Sequence, residues 1–323
     1  MIDLKPIFAA VRQAADLTRR VQQSHLAHSQ KPSGEGSEPV TIADYGSQAI
    51  LCRAISRAFP DDAVLAEEHG SQFAELLPAD QRAGIVRLVS DVLGETLSED
   101  QVQAWLDYGR DRDAERTWVI DPIDGTKGFI AMRRYSIAVG LLEGGLPVAG
   151  VLGSPGYPTP DGKGLLFYAQ RGAAYVEWMS GGKPNRIAVS TRTKPRELRA
   201  VESVERDHSH LELIASIYAE LGIDKAKQVE ALDSQDKYAM IACGDADLYM
   251  RLPREAHPQH KAWDHAAGTA LVQAAGGVAT DLDGSPLDFS TGAIMSNNLG
   301  MVITNGQIHD RVLEVVLAVM PKA

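Results

Sequence analysis

Residues 118–129 have the sequence WVIDPIDGTKGF, a short apolar run followed by two acids, a proline and a glycine. Residues 118–120 are apolar and indicate a short buried strand, which two acidic residues, Asp121 and Asp124, follow at once. Pro122 fixes its own φ and holds the preceding residue in an extended conformation, so Asp121 leaves the strand end in a defined direction. The stretch therefore predicts a strand that ends in two closely spaced carboxylates.

The groups around these acids are hard oxygen ligands. Ile123 lies between the acids, and if its side chain anchors in the core, its carbonyl oxygen points the same way as the two carboxylates. Mg²⁺ prefers such ligands, whereas Zn²⁺ prefers histidine and cysteine. Gly125 allows close backbone approach, and a helix that begins at Thr126 offers free N–H groups to a phosphate. An isolated Asp-x-x-Asp is more often a pair of loop acids or helix caps, so the spacing alone does not establish a metal site.

The longer motif Asp-Pro-Ile-Asp-Gly-Thr resembles the signature of the lithium-sensitive, magnesium-dependent phosphomonoesterases, the superfamily of inositol monophosphatase and fructose-1,6-bisphosphatase. The extension Lys127-Gly128-Phe129 narrows the resemblance to the 3'(2'),5'-bisphosphate nucleotidase branch. Further matches occur in the family's order at Asp44, Glu67, 232–238, 247–253 and 263–277. The resemblance implies a five-layer αβαβα fold and hydrolysis of the 3'-phosphate of adenosine 3',5'-bisphosphate.

Length and composition limit the alternatives. A chain of 323 residues with 44% hydrophobic residues can bury a large core, and at about 100–200 residues per domain it predicts two domains. The net charge of −11 disfavours nucleic-acid polymers and anionic membranes as partners. An acidic enzyme can still bind phosphate when metal ions supply positive charge. Cys52 and Cys243 are too few for a disulfide framework or a zinc site and indicate reduced core thiols in a cytoplasmic protein.

Hydrophobic periodicity indicates the secondary structure of the first half. Apolar residues at helical spacing predict a helix over 2–21, and the charges within it argue against a signal peptide or a membrane span. Further helices are predicted at 48–59, 84–93 and 99–106, and strands at 63–66, 118–120, 135–142, 148–153, 165–170 and 173–178. These strands predict one large, mostly antiparallel sheet, with helices on one face and the metals at its edge. The insertion at 73–116 is expected to act only as a lid or packing element.

The second half alternates helices and strands. Strands are predicted at 201–204 and 247–252, helices at 211–221 and 263–276, and a strand-to-helix junction at 232–238. This alternation predicts a smaller α/β layer sandwich. The polar segment between the halves divides the chain into a metal-binding catalytic domain over 1–195 and a second α/β domain over 196–323. We expect the second domain to contribute one metal ligand and the substrate contacts.

The acids outside the central motif have ordinary interpretations as well as catalytic ones. Asp44 and Asp264 each precede a helical run and suit its N-cap, while Glu67 and Glu68 form a pair that is usually surface charge. The resemblance makes Glu67 a ligand that bridges metals and Asp264 the ligand from the second domain. It makes Asp44, moved into place by the preceding loop, the residue that orients Thr126 for activation of the attacking water.

The resemblance further implies two Mg²⁺ ions about 4 Å apart, the arrangement for in-line displacement. Glu67, Asp121 and the Ile123 carbonyl would hold one ion, while Asp121, Asp124 and Asp264 would hold the other. A third Mg²⁺ near Glu67 and inhibition by Li⁺ are implied in the same way.

The substrate would be a small phosphorylated nucleotide. Its contacts are implied at Gly125, Thr126, Lys127, His208, Ser209, Ser234, Lys237 and Arg251. Ser234 and Lys237 lie within the motif Asp-Ser-Gln-x-Lys-Tyr, whereas surface polar residues are an alternative for His208, Ser209 and Arg251.

The sequence is compatible with two other functions. A phosphatase of the same fold that acts on inositol phosphates or fructose 1,6-bisphosphate is disfavoured by Lys127 and by the long insertion. A catalytically idle nucleotide-sensing protein would need a damaged metal site, and every ligand position is intact. The sequence also leaves open whether the 3'-phosphosulfate form is cleaved and whether the protein is a monomer or a homodimer.

Overall fold

A computed structural model describes residues 2–24, 28–30, 39–204, 210–253 and 259–320. In these residues the chain forms two large β-sheets with helices on their faces and one small two-stranded sheet. The α-helices are α1 (Lys5–Ser24), α2 (Ile42–Ala58), α3 (Gly70–Leu76), α4 (Ala79–Leu93), α5 (Glu99–Leu106), α6 (Thr126–Ile130), α7 (Leu211–Leu221), α8 (Lys225–Gln228), α9 (Asp236–Ala242), α10 (Ala266–Ala274) and α11 (His309–Val319). The β-strands are β1 (His28–Gln30), β2 (Pro39–Thr41), β3 (Ala63–Ala66), β4 (Arg116–Asp124), β5 (Ser136–Glu143), β6 (Leu146–Ser154), β7 (Leu165–Gln170), β8 (Ala173–Trp178), β9 (Asn185–Ile187), β10 (Ala200–Ser203), β11 (Val229–Leu232), β12 (Leu248–Arg251), β13 (Val278–Thr280) and β14 (Met301–Thr304). Short 3₁₀ helices cover Pro195–Glu197 and Ala262–Asp264.

The larger sheet has seven strands in the order β3-β4-β5-β6-β7-β8-β9. β3 and β4 are parallel, and every later neighbour is antiparallel, which confirms the prediction of one large, mostly antiparallel sheet. Side chains of β5 alternate between its faces, so Ile137 and Val139 pack on the side of α1 and α2 while Ala138 and Leu142 pack on the opposite side. Both faces of the sheet are therefore buried.

The smaller sheet has five strands in the order β11-β10-β12-β14-β13, with β10 parallel to both β11 and β12. Helices α9 and α10 lie between the two sheets and share one hydrophobic core with both. Helices α7 and α11 cover the outer face of the smaller sheet with a separate core. The layers run helix, sheet, helix, sheet, helix, which confirms the predicted αβαβα fold. The division at residue 195 lies between β9 and β10 and stays a prediction.

The structure corrects two predictions near the central motif. β4 does not stop after its apolar residues but continues to Asp124, with a register shift against β5 between Asp121 and Asp124. Pro122 has no N–H to donate to the neighbouring strand, which favours an irregularity at this point. α2 begins at Ile42, so Asp44 is a buried residue of its first turn and not its N-cap.

Other elements differ from the predictions because they are short or interrupted. The single helix predicted at 263–276 is a 3₁₀ turn followed by α10, with a break at His265, whose φ is −136°. α3, β9, β13, β14 and α11 were not predicted; most contain too few residues to show a period. The loop before Asp44 includes residues 31–38, which lie outside the described part. No helix in the described ranges is both long and apolar enough to cross a membrane.

Glycines in the large sheet allow α10 to pack unusually close. A Cβ at Gly150 would lie 2.3 Å from the Ala267 carbonyl oxygen, and one at Gly140 would lie 2.9 Å from the Ala266 Cβ. Only glycine tolerates this approach of a helix backbone. The close contact brings the preceding turn, which ends at Asp264, to the part of the sheet that carries Asp121.

Candidate active site

A cavity of about 370 Å³ lies where the end of β4 meets the β11–α9 connection and the start of α10. It brings together predicted site residues from both halves of the chain, namely Asp44, Glu67, Asp121, Ile123, Asp124, Gly125, Thr126, Lys127, Ser234, Lys237, Arg251 and Asp264. His208 and Ser209 lie outside the described residues. The assigned roles of all these residues stay predictions; the structure gives their surroundings.

Glu67 follows β3 and lies beside the strand that carries Asp121. The main-chain N–H of Glu67 donates to the Ile120 carbonyl oxygen at 3.2 Å, continuing the parallel pairing of β3 with β4. Gln48 of α2 fixes the next residue, because its Nε2 donates to the Glu68 carbonyl oxygen and its Oε1 accepts from the Glu68 N–H, both at 2.8 Å. Two parallel strand ends held in this way place two acids side by side.

The turn between the two aspartates is held by its own polar groups. Asp121 Oδ1 accepts from the Ile123 N–H at 3.1 Å, and the Thr126 hydroxyl donates to the Ile123 carbonyl oxygen at 3.0 Å. Gly125 has φ of +87°, and a Cβ there would lie 3.2 Å from the Asp233 Cβ. The motif therefore needs glycine at this position both for its backbone conformation and for space.

The carboxylates at the cavity act on one another. Burial raises the pKa of Asp121 well above its ordinary value, and four neighbouring carboxylates raise it further, those of Glu67, Asp124, Asp264 and Asp44. Burial and the charge of Asp264 likewise raise the pKa of Asp124 to about 7. Without a counter-ion, this concentration of negative charge is unfavourable at neutral pH.

The donor set fits divalent magnesium. It consists of carboxylates and one main-chain carbonyl, and a bound cation would relieve their mutual repulsion. Among the described residues, no three histidine, cysteine, aspartate or glutamate side chains already converge on a single point. The raised pKa values of the acids are compatible with the lack of a converged cluster among these residues. Carboxylates several ångströms apart still raise one another's pKa, whereas ligation requires them to rotate toward one ion.

Asp264 is linked to a chain of buried polar groups that the sequence did not reveal. Arg251 Nη1 lies 3.4 Å from Asp264 Oδ2 and donates to His265 Nε2 at 3.1 Å. Because arginine can only donate, Nε2 of His265 is an acceptor, so the ring is neutral and its Nδ1 carries the proton. That nitrogen lies 2.7 Å from the Tyr238 hydroxyl. Arg251 is thereby fixed at the cavity wall next to Asp264.

Lys237 is buried, although a substrate-binding lysine is usually exposed. Its Nζ donates to the carbonyl oxygens of Leu232 at 3.2 Å and Ser234 at 2.6 Å, so it closes the connection from β11 to α9. Burial lowers the pKa of Lys237, while the nearby charge of Asp124 opposes that effect. Lys237 therefore has a structural role beside the predicted contact with substrate.

Gln235, the glutamine of the motif Asp-Ser-Gln-x-Lys-Tyr, is a site residue without a predicted role. Its main-chain N–H donates to Asp124 Oδ2, and its side chain bridges to the start of α10. Gln235 Oε1 accepts from the Gly268 N–H, and its Nε2 donates to the Trp263 carbonyl oxygen, both at 2.9 Å. One residue thus connects Asp124 to the helix that follows Asp264.

The end of the insertion contacts residues at the cavity. His69 is half-buried and lines the cavity, and Arg110 donates to its Nε2 at 3.0 Å. Arg110 also donates to the Glu68 carbonyl oxygen at 2.5 Å, and Asp107 Oδ1 accepts from the Gly70 N–H at 2.8 Å. The C-terminal part of the insertion therefore supports the backbone that follows Glu67.

Comparisons with known proteins agree with this architecture. The model of the Inositol monophosphatase family matches residues 3–320. The chain is 37% identical over 344 residues to the 3'(2'),5'-bisphosphate nucleotidase of Emericella nidulans, covering 96% of each protein. It is 34% identical over 347 residues to the 3'(2'),5'-bisphosphate nucleotidase 1 of Candida albicans, covering 97% of this chain and 94% of that one. Among solved structures, the inositol monophosphatase from Anabaena superposes with a TM-score of 0.62 at 22% identity, covering 98% of this chain and 96% of that one.

Proposed function

Because the chain belongs to the inositol monophosphatase family, we propose that it is a phosphomonoesterase that removes the 3'-phosphate of adenosine 3',5'-bisphosphate to give AMP and phosphate. The observation that supports this most directly is the cavity itself. It is lined by the acids Asp121, Asp124 and Asp264 and also by the cationic side chains of Lys237 and Arg251. The names of the relatives from Emericella and Candida support the nucleotide as substrate.

The metal ligands of the proposal are those of the predicted set. Glu67, Asp121 and the Ile123 carbonyl would hold one Mg²⁺. Asp121, Asp124 and Asp264 would hold a second, and a third would lie near Glu67. When bound, the ions lower the pKa of a water molecule and stabilise charge on the leaving ribose oxygen. The protein's part is to hold these acids close together in spite of their repulsion, which the strand pairing and the turn at Gly125 achieve.

Proton transfer is assigned to Thr126 and Asp44. Both line the cavity, and the Thr126 hydroxyl proton points to the Ile123 carbonyl oxygen, which leaves the lone pairs of Oγ1 for the attacking water. Asp44 lies buried in the first turn of α2, where an acid is favoured by the helix dipole. In the proposed reaction Asp44 orients the Thr126 hydroxyl, and the two residues together help to accept a proton from the attacking water.

The substrate contacts of the proposal come from both sides of the cavity. Lys127 and the main chain at Gly125 and Thr126 would approach the reacting phosphate, while Arg251 and Lys237 supply positive charge for the rest of the nucleotide. Binding energy from a remote phosphate positions the reacting one, which raises kcat/KM for a bisphosphate. Ser234, His208 and Ser209 complete the predicted set.

We place the protein in the cytoplasm, with Li⁺ as an inhibitor. Cys52 is buried and Cys243 half-buried, and burial raises the pKa of each thiol to about 12, so both are unreactive core residues. The proposal is compatible with a monomer or a homodimer. It also includes cleavage of the 3'-phosphosulfate form.

Release of inorganic phosphate from a substrate panel tests this function. Adenosine 3',5'-bisphosphate should exceed inositol 1-phosphate and fructose 1,6-bisphosphate in kcat/KM by at least about a hundredfold, equivalent to nearly 3 kcal/mol in the transition state. Activity should require Mg²⁺. AMP, which has only a 5'-phosphate, should release little inorganic phosphate. A preference for inositol 1-phosphate would instead assign the chain to the inositol phosphatases of the same fold.

A further inference from the structure

The turn that carries Asp264 presents two more side chains to the cavity, those of Lys261 and Trp263, and neither belongs to the predicted site. Lys261 directly precedes the 3₁₀ helix Ala262–Asp264, and its carbonyl oxygen accepts from the Asp264 N–H at 3.2 Å. The Trp263 carbonyl oxygen accepts from Gln235 Nε2 at 2.9 Å. Lys261 and Trp263 are therefore held on the same short turn as a predicted metal ligand.

The backbone of Lys261 is also anchored to a neighbouring segment. It forms an antiparallel bridge with Ile294, and the N–H of the next residue, Ala262, donates to the Ala293 carbonyl oxygen at 3.0 Å. Ala262 itself is fully buried. These contacts fix the point at which the lysine side chain begins, while its flexible four-carbon stem lets the ammonium group change position.

The cationic groups at the cavity differ in the contacts that they already make. Lys237 Nζ donates to two main-chain carbonyl oxygens of the β11–α9 connection, and Arg251 Nη1 lies 3.4 Å from Asp264 Oδ2. Lys261 is half-buried, and its Nζ lies 5.8 Å from the centre of the Trp263 ring. Within the described part of the chain, the Lys261 side chain has no ion pair and no hydrogen bond. Its three N–H donors are therefore available to a ligand.

The contact with Trp263 does not compete with an anionic ligand. The attraction between an ammonium group and an aromatic ring is weak where water reaches the ammonium group. A hydrogen bond between an ammonium group and a phosphate is charge-assisted and roughly twice as strong as one between neutral groups. The ring therefore keeps the Lys261 ammonium group at the cavity and leaves it able to bind a phosphate.

We propose that Lys261 is a specificity-determining residue that binds the second phosphate of the substrate, with Trp263 holding the lysine at the cavity. The inference rests on the phosphatase function proposed above, in which the reacting phosphate lies at the metals and the start of α6. The 5'-phosphate of adenosine 3',5'-bisphosphate then lies elsewhere in the same cavity. Lys237 Nζ and Arg251 Nη1 contribute charge there but are already bonded within the protein, whereas Lys261 can donate directly.

The experiment compares kcat/KM for adenosine 3',5'-bisphosphate and adenosine 3'-monophosphate with the Mg²⁺-loaded full chain. The two compounds have the same reacting group and differ only in the 5'-phosphate. The wild type should prefer the bisphosphate by about 10–100-fold, the range for a hydrogen bond to a charged group, and Lys261→Met should lower this ratio by about tenfold. Equal kcat/KM values for the two compounds in the wild type, or an unchanged ratio in the variant, would overturn the inference.

Lys261→Arg and Lys183→Met are the matched variants. Arginine keeps the positive charge and the N–H donors, so the ratio in Lys261→Arg should stay within about threefold of the wild-type ratio. Lys183 is exposed between β8 and β9 and outside the cavity lining, so Lys183→Met removes the same charge and should keep the wild-type ratio. If Lys261 had a structural role alone, Lys261→Met would lower kcat/KM equally for both compounds, and that result would refute the proposal.

Lys261→Gln replaces the methionine variant if thermal unfolding shows that Lys261→Met does not fold. Glutamine is polar but uncharged, so this variant should also lower the preference for the bisphosphate. A wild-type ratio in Lys261→Gln would contradict the inference while the phosphatase function stands. A wild type that releases no phosphate from either adenosine compound would instead show that the proposed function is wrong, so the two failures are distinguishable.

Discussion

The two sides of the cavity are built on opposite principles. On the β4 side the fold brings like charges together, and the pKa of Asp121 and of Asp124 is raised by burial and by neighbouring acids. On the β11–α9 side, the polar groups of Ser234, Asp236 and Lys237 have partners that match them in charge or in hydrogen bonding. The first arrangement lowers the stability of the metal-free fold, and the second raises it.

Because of this difference, we expect substitutions on the two sides of the cavity to have different effects on turnover and on the free energy of unfolding. A change on the β4 side should affect turnover strongly and the free energy of unfolding weakly, or even favourably. A change on the β11–α9 side should affect the choice of substrate and the stability together, because the same groups hold the connection and face the cavity.

Asp124→Asn should cause the largest loss. The substitution keeps the size of the side chain and removes one of the charges that would hold magnesium, so kcat should fall by several orders of magnitude while the protein stays folded. Phosphate release and thermal unfolding, measured on the same preparation, check both parts. Asp91→Asn on the exposed side of α4 is the control and should behave as wild type. Near-normal turnover of the Asp124 variant at modest Mg²⁺ would remove Asp124 from the metal site.

Thr126→Ala should give the next largest effect. Loss of the hydroxyl removes a group from proton transfer, so kcat should fall by roughly 10²–10⁴-fold with KM little changed. Thr126→Ser keeps the hydroxyl that donates to the Ile123 carbonyl oxygen and should recover most of the rate. If only KM rises in the alanine variant, Thr126 binds substrate and another group must accept the proton.

The sequence predicted the β4 side better than the β11–α9 side for a physical reason. The acids, the proline and the glycine of the central motif are neighbours in the chain, so their chemistry is visible as a local pattern. The contact between Ser136 and Asp236 joins residues 100 positions apart, and no local pattern reports it. The same holds for Arg110, which reaches back to His69 from the end of the insertion.

Boundaries were predicted less well than the elements themselves. α2 begins before the predicted helix because Ile42 and Ala43 are buried and extend its apolar face, which moved Asp44 from a cap to the first turn. β4 continues through the proline because the register shift accommodates it. In both places, tertiary packing extends an element beyond the point where its local signals end.

Lys237→Met tests the β11–α9 side. The methylene groups remain, but the carbonyl oxygens of Leu232 and Ser234 lose their donor, so the protein should be destabilised by about 1–3 kcal/mol. The preference for adenosine 3',5'-bisphosphate over inositol 1-phosphate should also narrow, by roughly tenfold, as a charge near the remote phosphate is lost. Lys227→Met, which breaks an exposed pair with Asp224, is the matched control and should change neither quantity. A Lys237 variant with wild-type preference for every substrate would limit this lysine to a structural role.

The smallest effect concerns the stability of the metal-free protein at different pH values. Asp124 has a pKa of about 7 in the fold against 3.8 ordinarily, so between these values the folded state binds more protons than the unfolded one. Stability therefore falls as pH rises through this window, and the melting temperature in a chelator should be a few degrees higher at pH 5 than at pH 7.5, a difference of about 1–3 kcal/mol. The Asp124→Asn variant lacks this titrating group, so its melting temperature should change less with pH. Asp121, whose pKa is raised in the same direction, should still cause part of the change.

Added Mg²⁺ should raise the wild-type melting temperature more at pH 7.5 than at pH 5, because it binds the ionised acids. A metal-free wild type that becomes more stable from pH 5 to pH 7.5, with the same slope in the asparagine variant, would show that the acids on the β4 side do not repel one another.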